Sequence, residues 1–108
     1  MAKVYVLNNG GHDYSGAAKF GELVICSEGA IRKDDIAQMF RQLTQELTNF
    51  EEADFILVTS LTSLCMVAAG IIADRFGCLN LLIFRDGRYV PKSIVFESKA
   101  EDVIGDDN

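Results

Sequence analysis

Glycine, histidine and tyrosine occur together in one polar stretch, N-N-G-G-H-D-Y-S-G, at residues 8–16. Glycine lets a backbone approach a ligand closely, histidine suits ligand contact or proton transfer, and tyrosine offers a ring and a hydroxyl. The stretch is long for a simple connection between short elements, although N-G and G-G also occur in ordinary turns. We expect four of its residues to contact a ligand: Gly10, Gly11, His12 and Tyr14.

Hydroxyl side chains cluster in a second stretch, T-S-L-T-S, which follows the apolar run at residues 55–58. A helix pattern begins at once after it, so free backbone N–H groups of a helix N-terminus would lie beside these hydroxyls. Such an N-terminus favours a negatively charged group. We therefore expect Ser60, Thr62 and Ser63 to bind a phosphate or a similar anion. The alternative is that Ser60 or Thr62 only caps the helix.

Two arginines flank the dipeptide Asp86-Gly87, which is a strong signal for a two-residue hairpin turn. The planar guanidinium group of arginine fits phosphate oxygens. Arg85 and Arg88 are therefore candidates to add positive charge to the same site, within one chain or from a second copy. The alternative is that both are solvated surface charges.

Five strands and two helices must position these segments. The strand patterns lie at about residues 3–8, 22–26, 54–59, 79–84 and 89–96. The helix patterns lie at about residues 33–49 and 62–76. Crossovers through helices predict a mostly parallel sheet, and Pro91 predicts that the last strand is an antiparallel edge. The expected fold is an abbreviated Rossmann-like α/β domain.

The two helices differ in the spacing of their apolar residues. The first has one apolar stripe, which we expect to be core against the sheet: Ile36, Met39, Phe40, Leu43, Leu47 and Phe50. The second is apolar on almost all sides, so it needs cover on almost all sides. We expect a homodimer in which helix 62–76 packs against a second copy. The alternative is that helix 33–49 and the glycine loop cover it.

Length and charge limit the classes of function. A chain of 108 residues forms a single domain, which we place at residues 1–96. The net charge is −6, and much of it falls in residues 97–108, where five acidic residues stand against one lysine. We predict a flexible acidic tail there. The rest of the chain has no basic excess, which argues against long nucleic acid but allows one small anion.

Cysteine spacing and hydropathy exclude further classes. Cys26, Cys65 and Cys78 form neither a zinc signature nor a disulfide framework, and we expect no metal and no cofactor. The longest apolar run is about half of the ~20 residues that span a bilayer, and the start has no signal-peptide pattern. We predict a cytoplasmic protein with no membrane partner.

Two segments also carry a resemblance. K-V-Y-V-L-N-N-G-G-H-D-Y-S at the start and I-L-V-T-S-L-T-S-L in the middle resemble small bacteriophage proteins, over most of the chain up to Phe96. The strand, hydroxyl turn and helix are also similar in kind to nucleotide-sensing Rossmann-like domains of CRISPR-associated proteins. The resemblance transfers no catalytic residue.

The combined patterns favour non-enzymatic binding of a nucleotide-like or other anionic small molecule at the carboxyl ends of the parallel strands. For a phage protein, sequestering a host signalling nucleotide in the host cytoplasm would be a form of counter-defence. Two alternatives stay open. One is an interaction protein that acts through homo-oligomerisation with no ligand, and the other is a small nucleotide-cleaving enzyme that uses His12.

Overall fold

The computed structural model describes residues 1–32, 34–59 and 61–96, so the expected acidic tail lies outside the described residues. The strands are β1 (Lys3–Val6), β2 (Glu22–Ile25), β3 (Phe55–Leu57), β4 (Cys78–Arg85) and β5 (Arg88–Val95). The helices are α1 (Ile36–Glu46), α2 (Thr62–Phe76) and a 3₁₀ helix at Ser15–Phe20. None of the described helices has the length and apolar character needed to cross a membrane. The predicted order of strands and helices is confirmed.

The five strands form one sheet in the order β2-β1-β3-β4-β5. The first four strands are parallel to one another, and β5 pairs antiparallel with β4 at the edge. This mixed α/β architecture is compatible with an abbreviated Rossmann-like fold. The predictions of a mostly parallel sheet and of an antiparallel edge strand are both confirmed.

The direction of the chain across the sheet explains which face each helix covers. The connection from β1 to β2 and the connection from β2 to β3 move across the sheet in opposite directions. Because crossovers between parallel strands share one hand, opposite directions place the connecting segments on opposite faces. The 3₁₀ helix accordingly packs on one face, and α1 and α2 pack on the other. We name these the 3₁₀ face and the helical face.

Side chains alternate between the two faces along each strand, and each face has its own core. The core on the helical face consists of Tyr5, Leu7, Met39, Leu43, Leu47, Phe50, Ile56, Leu64, Ala68, Ile72 and Leu79. The core on the 3₁₀ face consists of Val4, Val6, Tyr14, Ala17, Leu57, Leu82 and Tyr89. Tyr14 and Tyr89 therefore pack together although they come from the first loop and the last strand.

The predicted core stripe of the first helix is wrong at two positions. Ile36 and Phe40 are 48% and 54% exposed, whereas Met39 and Leu43 are buried as expected. The helix begins at Ile36, after Asp35 accepts a hydrogen bond from the backbone nitrogen of Gln38 at 3.2 Å. Ile36 and Phe40 stand one turn apart on a side that lines an open groove beside α2 rather than the sheet.

The β4–β5 hairpin follows the predicted turn. Asp86 and Gly87 have φ of 53° and 83°, the left-handed conformation that a tight hairpin turn of the mirror-image type requires. The backbone nitrogen of Phe96 donates to the oxygen of Gly77 at 2.9 Å. The register has no bulge, and the backbone nitrogens of an antiparallel strand face the partner strand at every second residue. Because the nitrogen of Phe96 faces β4, the nitrogen of Pro91, five residues earlier, faces away from it. The proline therefore removes no hydrogen bond from the ladder, which explains its place in an edge strand.

A buried carboxylate ties the start of β1 to the start of β3. Asp54 is 3% exposed, and its two oxygens accept hydrogen bonds from the backbone nitrogens of Lys3 and Glu51, each at 2.8 Å. Burial of a carboxylate is favourable only when its oxygens are satisfied in this way. The contact fixes the amino ends of the two central strands relative to each other.

Candidate functional site

The strand order reverses between β1 and β3, because β2 lies on one side of β1 and all later strands lie on the other. In open α/β sheets, ligands bind outside the carboxyl ends of the strands at such a point. A cavity of about 290 Å³ opens there, and we name it the rim cavity. Its described lining consists of His12, Asp13, Tyr14, Leu57, Val58, Thr59, Phe84 and Tyr89. The volume is near the lower limit of the roughly 300–1,000 Å³ of typical small-molecule sites, so it suits one ring system.

Aromatic side chains form the walls of the rim cavity. Tyr14 and Tyr89 are buried, each with 8% exposure, whereas Phe84 is 60% exposed. The rings of Phe84 and Tyr89 are 5.1 Å apart between centroids, and those of His12 and Tyr14 are 6.2 Å apart. β4 runs three residues past Leu82, the partner of Leu57, so the hairpin carries Phe84 beyond the end of β3.

The polar stretch at residues 8–16, which we name the histidine loop, folds back on itself through local hydrogen bonds. The backbone nitrogen of Gly10 donates to the hydroxyl of Tyr14 at 3.2 Å, and that of Gly11 donates to the side-chain oxygen of Asn9 at 3.0 Å. Gly11 has φ of 84°, a conformation that side chains with a Cβ rarely adopt. The two glycines thus shape the loop, while His12 and Tyr14 line the cavity.

Charge in the rim cavity is negative. The backbone N–H of Ser15 donates to the Asp13 carboxylate at 2.9 Å, which lowers the pKa of Asp13 below its ordinary value. Burial raises the pKa of the Tyr89 phenol, and the nearby Tyr14 and Asp13 raise it further. At neutral pH the carboxylate is therefore ionised and the phenol is neutral. Within the described part of the chain, no lysine or arginine lines the cavity.

The hydroxyl turn reaches the rim cavity through Thr59. Thr59 and Val58 also line a second cavity, of about 280 Å³, which lies on the helical face beside α2. Thr62 lines this second cavity but not the rim cavity. Ser63 lies in the first turn of α2 and is half-buried, and the predicted residue Ser60 lies outside the described residues. The end of β3 therefore separates the ring-lined cavity from the start of α2.

The two arginines of the hairpin leave the sheet on the other face. Arg85 and Arg88 form the pair next to Phe84 and Tyr89, and consecutive side chains of a strand point to opposite faces. The side chain of Arg85 is 73% exposed and its Nε lies 3.6 Å from the carboxylate of Asp86. The structure thus brings His12 and Tyr14 together with Thr59, but it keeps both arginines out of the rim cavity.

Six of the eight described lining residues were not among the expected ligand contacts: Asp13, Leu57, Val58, Thr59, Phe84 and Tyr89. The Asp86-Gly87 turn contained the signal for the last two, because a two-residue hairpin pairs position 84 with position 89 on one face. For Asp13, the only available signal was its place between His12 and Tyr14. Thr59 was recognised as part of the hydroxyl turn but not as a ligand contact.

The outer side of α2 is a separate feature of the molecule. Met66 is 69% exposed, and it borders a groove of about 590 Å³ between α1 and α2. The groove is lined by Ile36, Ala37, Phe40, Met66, Val67, Gly70, Ile71 and Asp74. α1 covers one flank of α2, and Tyr14 of the histidine loop packs on the 3₁₀ face instead. Among the residues that the structure describes, none covers the outer apolar side of α2.

Comparison with known proteins gives one family. The model of the family described as Phage Pam3 gp32-like protein matches residues 2–96, which include every described strand and helix. No curated protein and no solved structure matches the chain.

Proposed function

The chain belongs to the Phage Pam3 gp32-like protein family, and we propose that it binds a nucleotide-like small molecule without converting it. The observation that carries the proposal is the rim cavity, which lies where the strand order reverses and has aromatic walls. An aromatic ring that is 60% exposed beside a cavity, as in Phe84, is a surface on which a planar ring can stack. Stacking of a nucleobase on an aromatic side chain contributes about 1–3 kcal/mol.

The ring of the ligand occupies the cavity in this proposal, and its phosphate lies outside. The volume and the negative charge of the cavity both favour that orientation. A phosphate that passes over Thr59 would reach the N-terminal end of α2, where no acidic residue lies in the first turn. Thr62 and Ser63 lie at that end, Ser60 lies between them and Thr59 in sequence, and Arg85 and Arg88 leave the hairpin on the same face.

Among the described residues, the placement of Thr59 and Cys26 favours binding over catalysis. A reaction that uses His12 needs a nucleophile within hydrogen-bond reach of the imidazole. The hydroxyl of Thr59 lies 3.6 Å from the sulfur of Cys65, towards α2. Cys26 packs against the core of the helical face, on the other side of the sheet from the rim cavity.

For a phage protein, the biological consequence would be removal of a nucleotide signal. We propose that the protein acts in the host cytoplasm and sequesters a host signalling nucleotide, which would be a counter-defence role. Sequestration requires only affinity and abundance, so a small domain with one ring-sized cavity is sufficient.

Calorimetric titration with mono-, di- and cyclic nucleotides tests this function, together with mass spectrometry of small molecules released when the purified protein is denatured. We expect saturable binding of at least one nucleotide, which returns unchanged after prolonged incubation. Turnover of the nucleotide would favour the enzyme alternative. Flat titrations across the whole set, with no small molecule released, would reject the ligand-binding function.

A second function, assembly through a homodimer, is favoured by the outer side of α2. Gly70 lies in the middle of this helix, where glycine is about 1 kcal/mol less favourable than alanine. A Cβ built on Gly70 meets no atom of the described residues within 4 Å, so no contact among them accounts for the glycine. We propose that α2 of a second copy approaches there, which would bury Met66 and Phe40.

Charge supports an antiparallel arrangement of the two α2 helices. Asp74 is exposed in the last turn, and it would then lie towards the positive N-terminal end of the partner helix. Light scattering at micromolar concentration tests the proposal. A mass of two chains would support the dimer, and a mass of one chain would exclude it at that concentration.

A further inference from the structure

The rim cavity contains one charged side chain among the described residues that line it, that of Asp13. The other lining residues present rings, aliphatic groups, a hydroxyl and an imidazole. An ionised carboxylate only accepts hydrogen bonds, so it distinguishes ligand groups that donate from ligand groups that accept.

We propose that Asp13 makes the rim cavity select planar rings that carry an amino group over rings that carry a carbonyl oxygen at the same position. The inference rests on the proposed function, because it describes the ring end of the same nucleotide-like ligand. It names the ligand class as amino-bearing bases and Asp13 as the specificity-determining residue.

Asp13 is an exposed residue of the cavity lining, and a hydrogen bond orients its carboxylate before a ligand arrives. One oxygen of Asp13 accepts the 2.9 Å hydrogen bond from the Ser15 nitrogen, and the adjacent Tyr14 is held by Gly10 through its hydroxyl. A carboxylate has about four lone-pair sites, so the bond from Ser15 leaves capacity for a ligand donor. Asp13 and Tyr89 both line the rim cavity, so the carboxylate lies where it can meet a ring stacked there.

The energetics favour donors. A hydrogen bond from an amino group to a carboxylate is charge-assisted, and it is about twice as strong as a neutral one. A carbonyl oxygen at the same position has no proton to donate and meets a negative charge. Sites built to bind a donor discriminate well against analogues that lack it, because the acceptor is then left without its partner.

The test uses two matched pairs of 5′-monophosphates, cytidine against uridine and adenosine against inosine. Within each pair, an amino group is replaced by a carbonyl oxygen and the neighbouring ring nitrogen gains a proton. A ligand that shifted so that Asp13 accepted this ring proton would bind as tightly as its amino partner, and that result would count against the inference. By isothermal titration, we expect the amino member of each pair to bind about tenfold or more tightly. In Asp13→Asn the preference should fall to about twofold or less, since the amide can donate to the carbonyl. Asparagine keeps a side-chain oxygen for Ser15, so the loop retains its fold.

Asp86→Asn is the matched control. It removes the same charge from the hairpin tip, outside the cavity, and asparagine tolerates the positive φ of this position. This variant should keep the wild-type preference. Equal binding of both members by the wild-type protein, or an unchanged preference in Asp13→Asn, would overturn the inference and leave the proposed function intact. If none of the four monophosphates binds the wild-type protein, the proposed function fails for this ligand class and the inference fails with it.

Discussion

Phe84 and Tyr89 stand directly opposite each other across the β4–β5 hairpin, with ring centroids 5.1 Å apart and planes inclined at 64°. They form a pair of the type without ladder hydrogen bonds, in which side chains approach most closely. Tyr89 is buried against the 3₁₀ face and fixes the position of its exposed partner. The hairpin thus contributes an ordered, exposed ring to a cavity whose other walls follow β1 and β3.

Replacement of Phe84 by alanine is expected to weaken nucleotide binding with little effect on the fold. The lost stacking corresponds to about 1–3 kcal/mol, or roughly 5- to 150-fold in Kd. Isothermal titration measures the affinity, and thermal denaturation checks the fold. Val95→Ala is the control, because Val95 is an exposed apolar residue on the same hairpin away from the cavity. Equal affinity in Phe84→Ala and Val95→Ala would contradict the stacking role.

Replacement of Asp54 by alanine is expected to lower the free energy of unfolding by about 3 kcal/mol, measured by urea denaturation. Two backbone N–H groups, those of Lys3 and Glu51, lose their carboxylate partner in a part-buried environment. Glu52→Ala is the control, since Glu52 is exposed and such changes usually stay within about 0.5 kcal/mol. A loss below about 1 kcal/mol would show that Asp54 does not anchor the central strands.

Replacement of Met66 by glutamate is expected to convert the proposed dimer to a monomer. Met66 is exposed in one chain, so the charge costs little there, but it would be buried without a partner between two α2 helices. Light scattering measures the mass. Gln45→Glu adds the same charge to an exposed site on α1 outside the groove, and it should leave the dimer intact. Dissociation in both variants would point to a general charge effect rather than to this surface.

Stability is expected to fall at alkaline pH in part through Cys26. Burial, and to a smaller extent the nearby charge of Glu46, together raise the pKa of this thiol to about 12. Since the unfolded thiol ionises near pH 9, the unfolded chain binds fewer protons than the folded protein between about pH 9 and 12. The free energy of unfolding then decreases as pH rises through this window.

The check is urea denaturation from pH 8 to 11 on the wild-type protein and Cys26→Ala. The raised pKa values of Tyr5 and Tyr89 act in the same direction in both proteins. Cys26 contributes to the shift of Tyr5, so the difference between the two curves is the whole contribution of Cys26, its effect on Tyr5 included. The variant should show the shallower decline. Parallel curves for the two proteins would contradict a contribution from Cys26.

Much of the fold follows from local sequence features. Continuous apolar runs predicted buried parallel strands, and Asp86-Gly87 with Pro91 predicted the antiparallel edge. The sequence also predicts that the histidine loop and Thr59 lie close together, since the carboxyl ends of parallel strands share one edge of the sheet. These predictions needed no knowledge of how distant segments pack.

The faces of the sheet were harder to predict. The 3₁₀ helix at Ser15–Phe20 has too short a pattern to reveal that it covers the face opposite α1. The orientation of Arg85 and Arg88 away from the rim cavity depends on that choice of face. Ile36 and Phe40 carry a helical apolar spacing that is also compatible with a core, and only the position of α2 reveals that they border an open groove.

Chemical-shift mapping by nuclear magnetic resonance, while cytidine 5′-monophosphate is titrated into the protein, tests ligand binding in the rim cavity most directly. We expect the backbone amides of His12, Thr59 and Phe84 to shift together and to saturate at one affinity, because all three residues line the rim cavity. Saturable shifts confined to the helical face, around Thr62 and Arg88, with none at His12 and Phe84, would contradict this expectation.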